Sequence, residues 1–308
     1  MKRHKAIKIV CVVLAVLVVL SAAALGYVGN FFYNFALNPN SDSSYFTPAE
    51  VAGGPDGEWL QRESADAWHT SEDGLKLHAY RVDGTGHRYV VLCHGYQNNA
   101  TGMASYARHF NDLGCTVVLP DARGHGRSEG DYIGMGWDER RDIVGWVNDL
   151  VAQDPEAQIV LMGVSMGGAT VMMASGEADL SEHVKCVVED CGYTDVKSEF
   201  SAQLKALYGL PSFPVINALD VVCRIRAGYS LTEASAVKQV AKSRTPTLFI
   251  HGEADTFVPF SMLEQVYGAA SCEKEKLAVP GAAHAESRET DPELYWGTVD
   301  RFVEAHMA

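Results

Sequence analysis

The sequence predicts an α/β protein with a mostly parallel central sheet flanked by helices, a small helical lid and a transmembrane helix at the N-terminus. Three observations predict it. Six short, continuous apolar runs (Tyr89 to Cys93, Thr116 to Leu119, Ile159 to Met162, Val184 to Val188, Thr247 to Ile250, Lys276 to Val279) alternate with stretches that mostly fit one helix, the pattern of strands buried on both faces. The interval from Val188 to Thr247 is too long for a single helix, and its helical apolar spacing is broken by Pro211 and Pro214, so a lid is expected over residues 193–243. Ile7 to Val28 is apolar except for Lys8, Ser21 and Gly26, and its 22 residues at helical rise span roughly 33 Å, enough to cross a bilayer core.

Taken in order, residues 1–5 read as a cytoplasmic tail, 6–28 as a transmembrane signal anchor, 29–58 as a linker and 59–308 as the folded body. Lys2, Arg3, Lys5 and Lys8 lie at the start of the apolar run and no such cluster follows it, which keeps the N-terminus in the cytoplasm. The body is then extracytoplasmic, on a single-pass cell-membrane protein. Ala22-Ala23-Ala24 offers the alternative of cleavage near Ala24 and secretion. The anchor is preferred because apolar character continues through Leu25, Tyr27, Val28, Phe31, Phe32 and Tyr33, whose aromatics suit an outer interface. The linker reading rests on Asn, Ser, Asp, Pro and Gly, with Gly53 to Gly57 as its clearest breaker. A chain beginning near Asn34 is therefore expected to fold and keep the chemistry of the body. From Trp59 onward the alternation of Leu75 to Val82 reads as a half-buried strand, and a last helix is expected from about Pro292.

Composition excludes several classes. Four of the 25 basic residues sit in the first eight positions, which leaves 21 against 39 acidic residues beyond Val28. A body at net −18 with no basic run repels a phosphate backbone, so no nucleic-acid partner is expected. The 7 cysteines are widely spread, with neither a Cys-x-x-Cys pair nor a matching histidine spacing, so neither a disulfide framework nor a metal site is read.

The residues with chemistry stand at strand ends. Gly163-Val164-Ser165-Met166-Gly167 follows an apolar run and precedes a helical stretch, the strand–turn–helix context of an exposed nucleophilic serine. Small flanking residues permit so tight a turn, and the helix start brings the Met166 N–H to a developing oxyanion. His94-Gly95-Tyr96 directly follows an earlier run, so the Tyr96 N–H is the second candidate donor, with His94 holding the loop. Asp121 to Ser128 mixes charge and glycine without a phosphate-loop pattern and reads as a self-bonded surface turn. Of the 11 histidines, His284 is the candidate base, because it lies on a loop between the last run and the last helix. Asp255 is the candidate orienting acid, in a turn closed by Pro259, with Glu253 and Asp190 as rivals, and Cys191 is the alternative nucleophile.

The order Ser165, Asp255, His284, together with His94-Gly95, Asp121 to Ser128 and Gly163 to Gly167, resembles the α/β-hydrolase superfamily over roughly residues 67–305. Within it the chain is similar to bacterial membrane-anchored serine hydrolases allied to the serine-aminopeptidase and monoacylglycerol-lipase-like branch. The resemblance implies acyl transfer to water without a metal or organic cofactor, through attack by Ser165, proton transfer by His284 and an oxyanion held at Tyr96 and Met166. The expected substrate is a small-molecule or lipid acyl ester or thioester. A peptidase or amidase on the same residues, or a binding module that kept the fold, are the alternatives. The single Gly95 departs from the multi-glycine oxyanion loop of many lipases, and the short lid departs from a large lipase flap.

Overall fold

The computed structural model describes residues 2–40 and 53–307. Among these, eight strands form one sheet in the order β1-β2-β4-β3-β5-β6-β7-β8. They are β1 Ala65–Thr70, β2 Lys76–Val82, β3 Arg88–Cys93, β4 Thr116–Pro120, β5 Gln158–Val164, β6 Val184–Asp190, β7 Thr247–Gly252 and β8 Lys274–Val279. β2 is antiparallel to β1 and β4, and the other neighbouring pairs are parallel. The six apolar runs are β3 through β8. β1 was not expected, since Ala65–Thr70 is polar and largely exposed and is a strand only through its edge pairing with β2.

Two-sided burial explains why the runs are continuous. Val90 and Leu92 of β3 pack with Phe110, Val299 and Phe302 on one face, and Val91 packs with Ile143, Val147 and Val171 on the other. Those partners come from α3 (Ala104–Asp112) and α11 (Pro292–His306) on the first face, and from α4 (Glu139–Gln153) and α5 (Met166–Ser175) on the second. Burying each such side chain contributes roughly 1.5–3 kcal/mol. α9 (Ser261–Ala269) follows β7, and the short α10 (Ser287–Thr290) precedes α11.

The lid expected over 193–243 contains α6 (Val196–Tyr208), α7 (Ser212–Arg226) and α8 (Ala236–Val240). Asp195 caps α6 by accepting the Ser198 N–H at 2.9 Å, and Gly209 ends it in the left-handed region at φ 65. Pro211 precedes α7, so both prolines stand at the start of a helix.

The linker expected over 29–58 is corrected. α1 runs unbroken from Lys2 to Leu37, and Gly29, Tyr33 and Leu37, four residues apart, form its buried stripe. A Cβ on Gly29 would lie 2.5 Å from the Ala218 carbonyl oxygen, so α1 and α7 are in backbone contact there. Arg226 clamps the pair by donating to Asn30 and Asn34 at 2.9 and 2.7 Å while lying 4.0 Å above the Tyr33 ring. At the other end of the linker, Gly54–Glu63 is a further helix, α2, with Pro55 in its first turn and Trp59 and Leu60 buried. The breaker starts a helix instead of closing a linker. The rest of that linker, residues 41–52, lies outside the described residues.

Candidate active site

The C-terminal ends of β3, β5, β7 and β8 bring the expected site residues to one edge of the sheet. Ser165 follows β5 at φ 57 and ψ −116, an unfavourable conformation for a residue with a Cβ, and its N–H donates to the Asp190 carbonyl at 2.8 Å. Backbone contact forces the turn. A Cβ on Gly163 would sit 2.2 Å from the Gly167 carbonyl, and one on Gly167 would sit 2.0 Å from the Cys93 oxygen.

His284, on the loop after β8, places Nε2 2.9 Å from Ser165 Oγ and Nδ1 2.7 Å from Asp255 Oδ2. Asp255, on the loop after β7, is fixed by the N–H groups of Phe257 and Val258, which donate to Oδ1 at 2.9 and 3.0 Å. Burial opposes its ionisation, but hydrogen bonds from His251 and His284 outweigh burial and hold the carboxyl below the usual carboxylate range. His251 stands near the end of β7. It is fully buried, with Nε2 3.2 Å from Asp255 Oδ2 and 3.0 Å from the Val258 carbonyl oxygen, so the carboxylate faces two imidazoles.

The rival groups are placed elsewhere. Glu253 is exposed, and Asp190 accepts the Tyr295 hydroxyl at 2.9 Å in a fully buried site where burial pushes its carboxyl up to about 6. Cys191 is buried, and burial pushes its thiol well up, which disfavours the nucleophilic thiolate. Its sulfur, Asp255 and His284 have ligand atoms within 4.8 Å of one another, yet the last two already bond each other and the thiol stays protonated, so the group reads as a hydrogen-bonded chain more than a metal cage.

Met166 opens α5 directly after Ser165, and Tyr96 follows Gly95 in the loop after β3 and borders the same cleft as Ser165. That loop is pinned by two neutral histidines. Burial lowers the affinity of His94 and His125 for a second proton, to about 3 in His125, so Nε2 of each accepts an N–H, from Ala122 at 3.0 Å and Gln97 at 3.2 Å. His94 thus holds the loop, as expected. The surface turn read at Asp121 to Ser128 is corrected, because Asp121, Arg123 and His125 are buried. Asp121 accepts from the Ala100 and Arg127 N–H groups and from His78 at 2.8 to 3.0 Å, and Arg123 pairs with Asp142 at 2.7 Å. The segment is self-bonded, but it underlies the Tyr96 loop.

Ser165 stands between two unlike spaces. On one side is an open cleft of about 820 Å³ bordered by Asn98, Tyr106, His284, Arg288 and Glu289. On the other is an apolar cavity of about 510 Å³ lined by Phe35, Ala36, Met135, Phe200, Leu207 and Phe257, among others. Sequence reasoning missed two of its features. Phe35 and Ala36 belong to α1, so a chain beginning near Asn34 lacks the buried Tyr33 and the rest of the helix that seats this wall. The four-residue spacing of Gly29, Tyr33 and Leu37 was the available signal. Glu199 also lines the cavity, with Oε1 accepting from Gln203 at 2.8 Å and Oε2 buried without a hydrogen-bond partner. Burial pushes that carboxyl up to about 8, so it is neutral at pH 7.

Comparison with known proteins follows this geometry. Residues 85–210 match the family model described as serine aminopeptidase, S33, a stretch that includes Tyr96 and Ser165 and stops before Asp255 and His284. The uncharacterized protein YqkD of Bacillus subtilis strain 168 is 29% identical over 216 residues, which is 70% of each chain. A monoacylglycerol lipase of Mycolicibacterium smegmatis is 26% identical over 253 residues, covering 71% of this chain and 88% of that one. Among solved structures, the Pyrococcus furiosus esterase Pf2001 has a TM-score of 0.70 at 22% identity, covering 85% of this chain and 98% of that one.

Proposed function

We propose that this chain, an α/β-hydrolase resembling the serine-aminopeptidase and monoacylglycerol-lipase-like branch, is a membrane-anchored serine hydrolase that cleaves carboxylic esters of apolar acyl groups. The observation that carries the reading is the hydrogen-bonded chain from Asp255 through His284 to Ser165, set between an apolar cavity and a more polar cleft. The cavity suits the acyl group and the cleft suits the departing alcohol.

Ser165 Oγ attacks the carbonyl carbon while His284 Nε2 takes its proton. Asp255 holds Nδ1–H, fixing the tautomer that leaves Nε2 free to accept, and stabilises the imidazolium. The oxyanion is held by the N–H groups of Tyr96 and Met166. Collapse expels the alcohol, which takes the proton from His284, and a water activated at the same nitrogen then releases the acid from the acyl-enzyme.

The N-terminal helix, long and apolar enough to cross a membrane and with its apolar window unburied, supports the anchor. The basic residues near its start favour a body outside the cytoplasm, on a cell-membrane protein. Labelling by a fluorophosphonate tests the chemistry: wild type is expected to be modified at Ser165 and Ser165→Ala not at all. p-Nitrophenyl esters are expected to be turned over faster than aminoacyl anilides. The opposite preference overturns the ester in favour of an amide, and an unlabelled wild type overturns the hydrolase.

A further inference from the structure

The 510 Å³ cavity beside Ser165 has an apolar neighbour. A second apolar cavity of about 350 Å³ shares Phe35, Ala36, Phe200, Gln203 and Leu207 with it and is further lined by Phe32, Tyr208, Ile216 and Leu219. The two cavities adjoin one wall, on which Phe35 and Ala36 of α1 and Phe200 and Leu207 of α6 are the apolar side chains that border both, Phe35 and Leu207 coming from the C-terminal turns of the two helices.

The direction follows from the helix. Ala36 is at the Ser165 end, where its carbonyl accepts the Tyr96 hydroxyl at 2.5 Å. Phe35 and Phe32 then meet the Tyr208 ring with centroids 6.3 and 5.5 Å away, and Gly29 meets Ala218. From Ala36 back to Gly29 the helix descends about 10 Å, toward the exposed apolar segment that ends at Val28. α7, which packs against α1 at Gly29, and the turn before it carry an unburied apolar rim, with Leu210 41%, Phe213 74%, Val221 55% and Ile225 78% exposed. A soluble surface rarely carries such a rim, and this one stands beside a helix suited to hydrocarbon.

We propose that the last turns of the N-terminal helix form one wall of an acyl channel, in which a single long, unbranched acyl chain lies along α1 from Ser165 toward the bilayer side. The substrate class is accordingly the long-chain ester, with Phe35 and Leu207 setting how far the chain reaches. This rests on the serine-hydrolase reading above. It makes the anchor part of the specificity of the enzyme.

The experiment measures kcat/KM of the full chain in detergent for p-nitrophenyl acetate and p-nitrophenyl dodecanoate. Phe35→Trp fills the junction of the two cavities and is expected to lower the dodecanoate-to-acetate ratio at least tenfold. Leu207→Trp, from the opposite wall and at a half-exposed position that tolerates a larger ring, is expected to do the same, so the test survives a failure of the first variant to fold. A ratio unchanged within twofold in both folded variants overturns the channel, and so does an equal loss on both esters, which marks α1 as structural support only. Fluorophosphonate labelling of wild-type Ser165 separates the two readings, because intact labelling with an unchanged ratio removes the channel alone, whereas absent labelling removes the hydrolase and the channel together.

Discussion

At the turn that carries Ser165 backbone meets backbone, with a Cβ on Gly163 or Gly167 falling 2.0 to 2.2 Å from a carbonyl group. Where α1 meets α6 of the lid, side chain meets side chain, as where Phe32 and Phe35 approach Tyr208 edge-on. The first contact admits no residue larger than glycine, so it is written into the sequence position by position. The second is satisfied by any apolar side chains of about the right volume. The turn therefore tolerates nothing, while the contact of α1 with α6 tolerates graded change.

The sharpest way to break this contrast is at its centre. Ser165→Ala is expected to lower ester turnover at least roughly a thousandfold and up to about 10⁶-fold while leaving the circular dichroism spectrum unchanged; residual turnover near wild type takes the nucleophile away from Ser165. Next comes the acid. Asp255→Asn is expected to lower kcat on the order of 10³- to 10⁴-fold, since an amide favours the wrong tautomer of His284, whereas Asp190→Asn, which keeps an acceptor for the Tyr295 hydroxyl, is expected to cost less than about tenfold. Reversal of these two results moves the acid to the end of β6.

Stability sharpens the same comparison. Gly163→Ala forces backbone apart and is expected to cost more than about 4 kcal/mol in urea unfolding, against about 1 kcal/mol for Ile216→Val in the lid. An effect that appears only as the pH is varied is expected at Glu199. Its carboxyl titrates at about 8 in the folded chain against an ordinary value of 4.5, so the folded state holds a proton that the unfolded state has lost across that interval. Stability from this group is complete below the ordinary carboxylate range and falls as pH rises through about 8. Glu199→Gln lacks that loss, and its Tm is expected to gain on wild type by several degrees between pH 5 and pH 9. A constant difference removes the buried proton.

The contrast also explains what could be read from the sequence. Strands buried on both faces announce themselves as unbroken apolar runs, so β3 to β8 were legible, and so were the residues that strand ends bring together at Ser165, Asp255 and His284. β1 was not, because a polar edge strand exists only by pairing with β2. Asp121 to Ser128 looked like surface because its charges neutralise one another inside, a property of tertiary neighbours such as His78 and Asp142. His251 and Glu199 could not be chosen from sequence, since a histidine or a glutamate becomes informative only when its burial and partners are known. Phe35 was hidden by a change of environment within one helix, where exposed apolar residues give way, without a break in composition, to apolar residues that face the rest of the protein.

That unbroken helix is a mast and not a leash. A flexible tether lets a body sample a hemisphere of positions, whereas α1, held by Arg226 through Asn30, Asn34 and Tyr33, sets the body at one distance and one bearing along its own axis. From Val28 to Ala36 the rise is about 12 Å, so on the proposed anchoring the serine would work at one altitude above the membrane surface. Each residue inserted between Gly26 and Val28 lifts the site by about 1.5 Å and swings it by about 100°. Elevation and heading are geared together, and a register of a single residue decides which way the door faces.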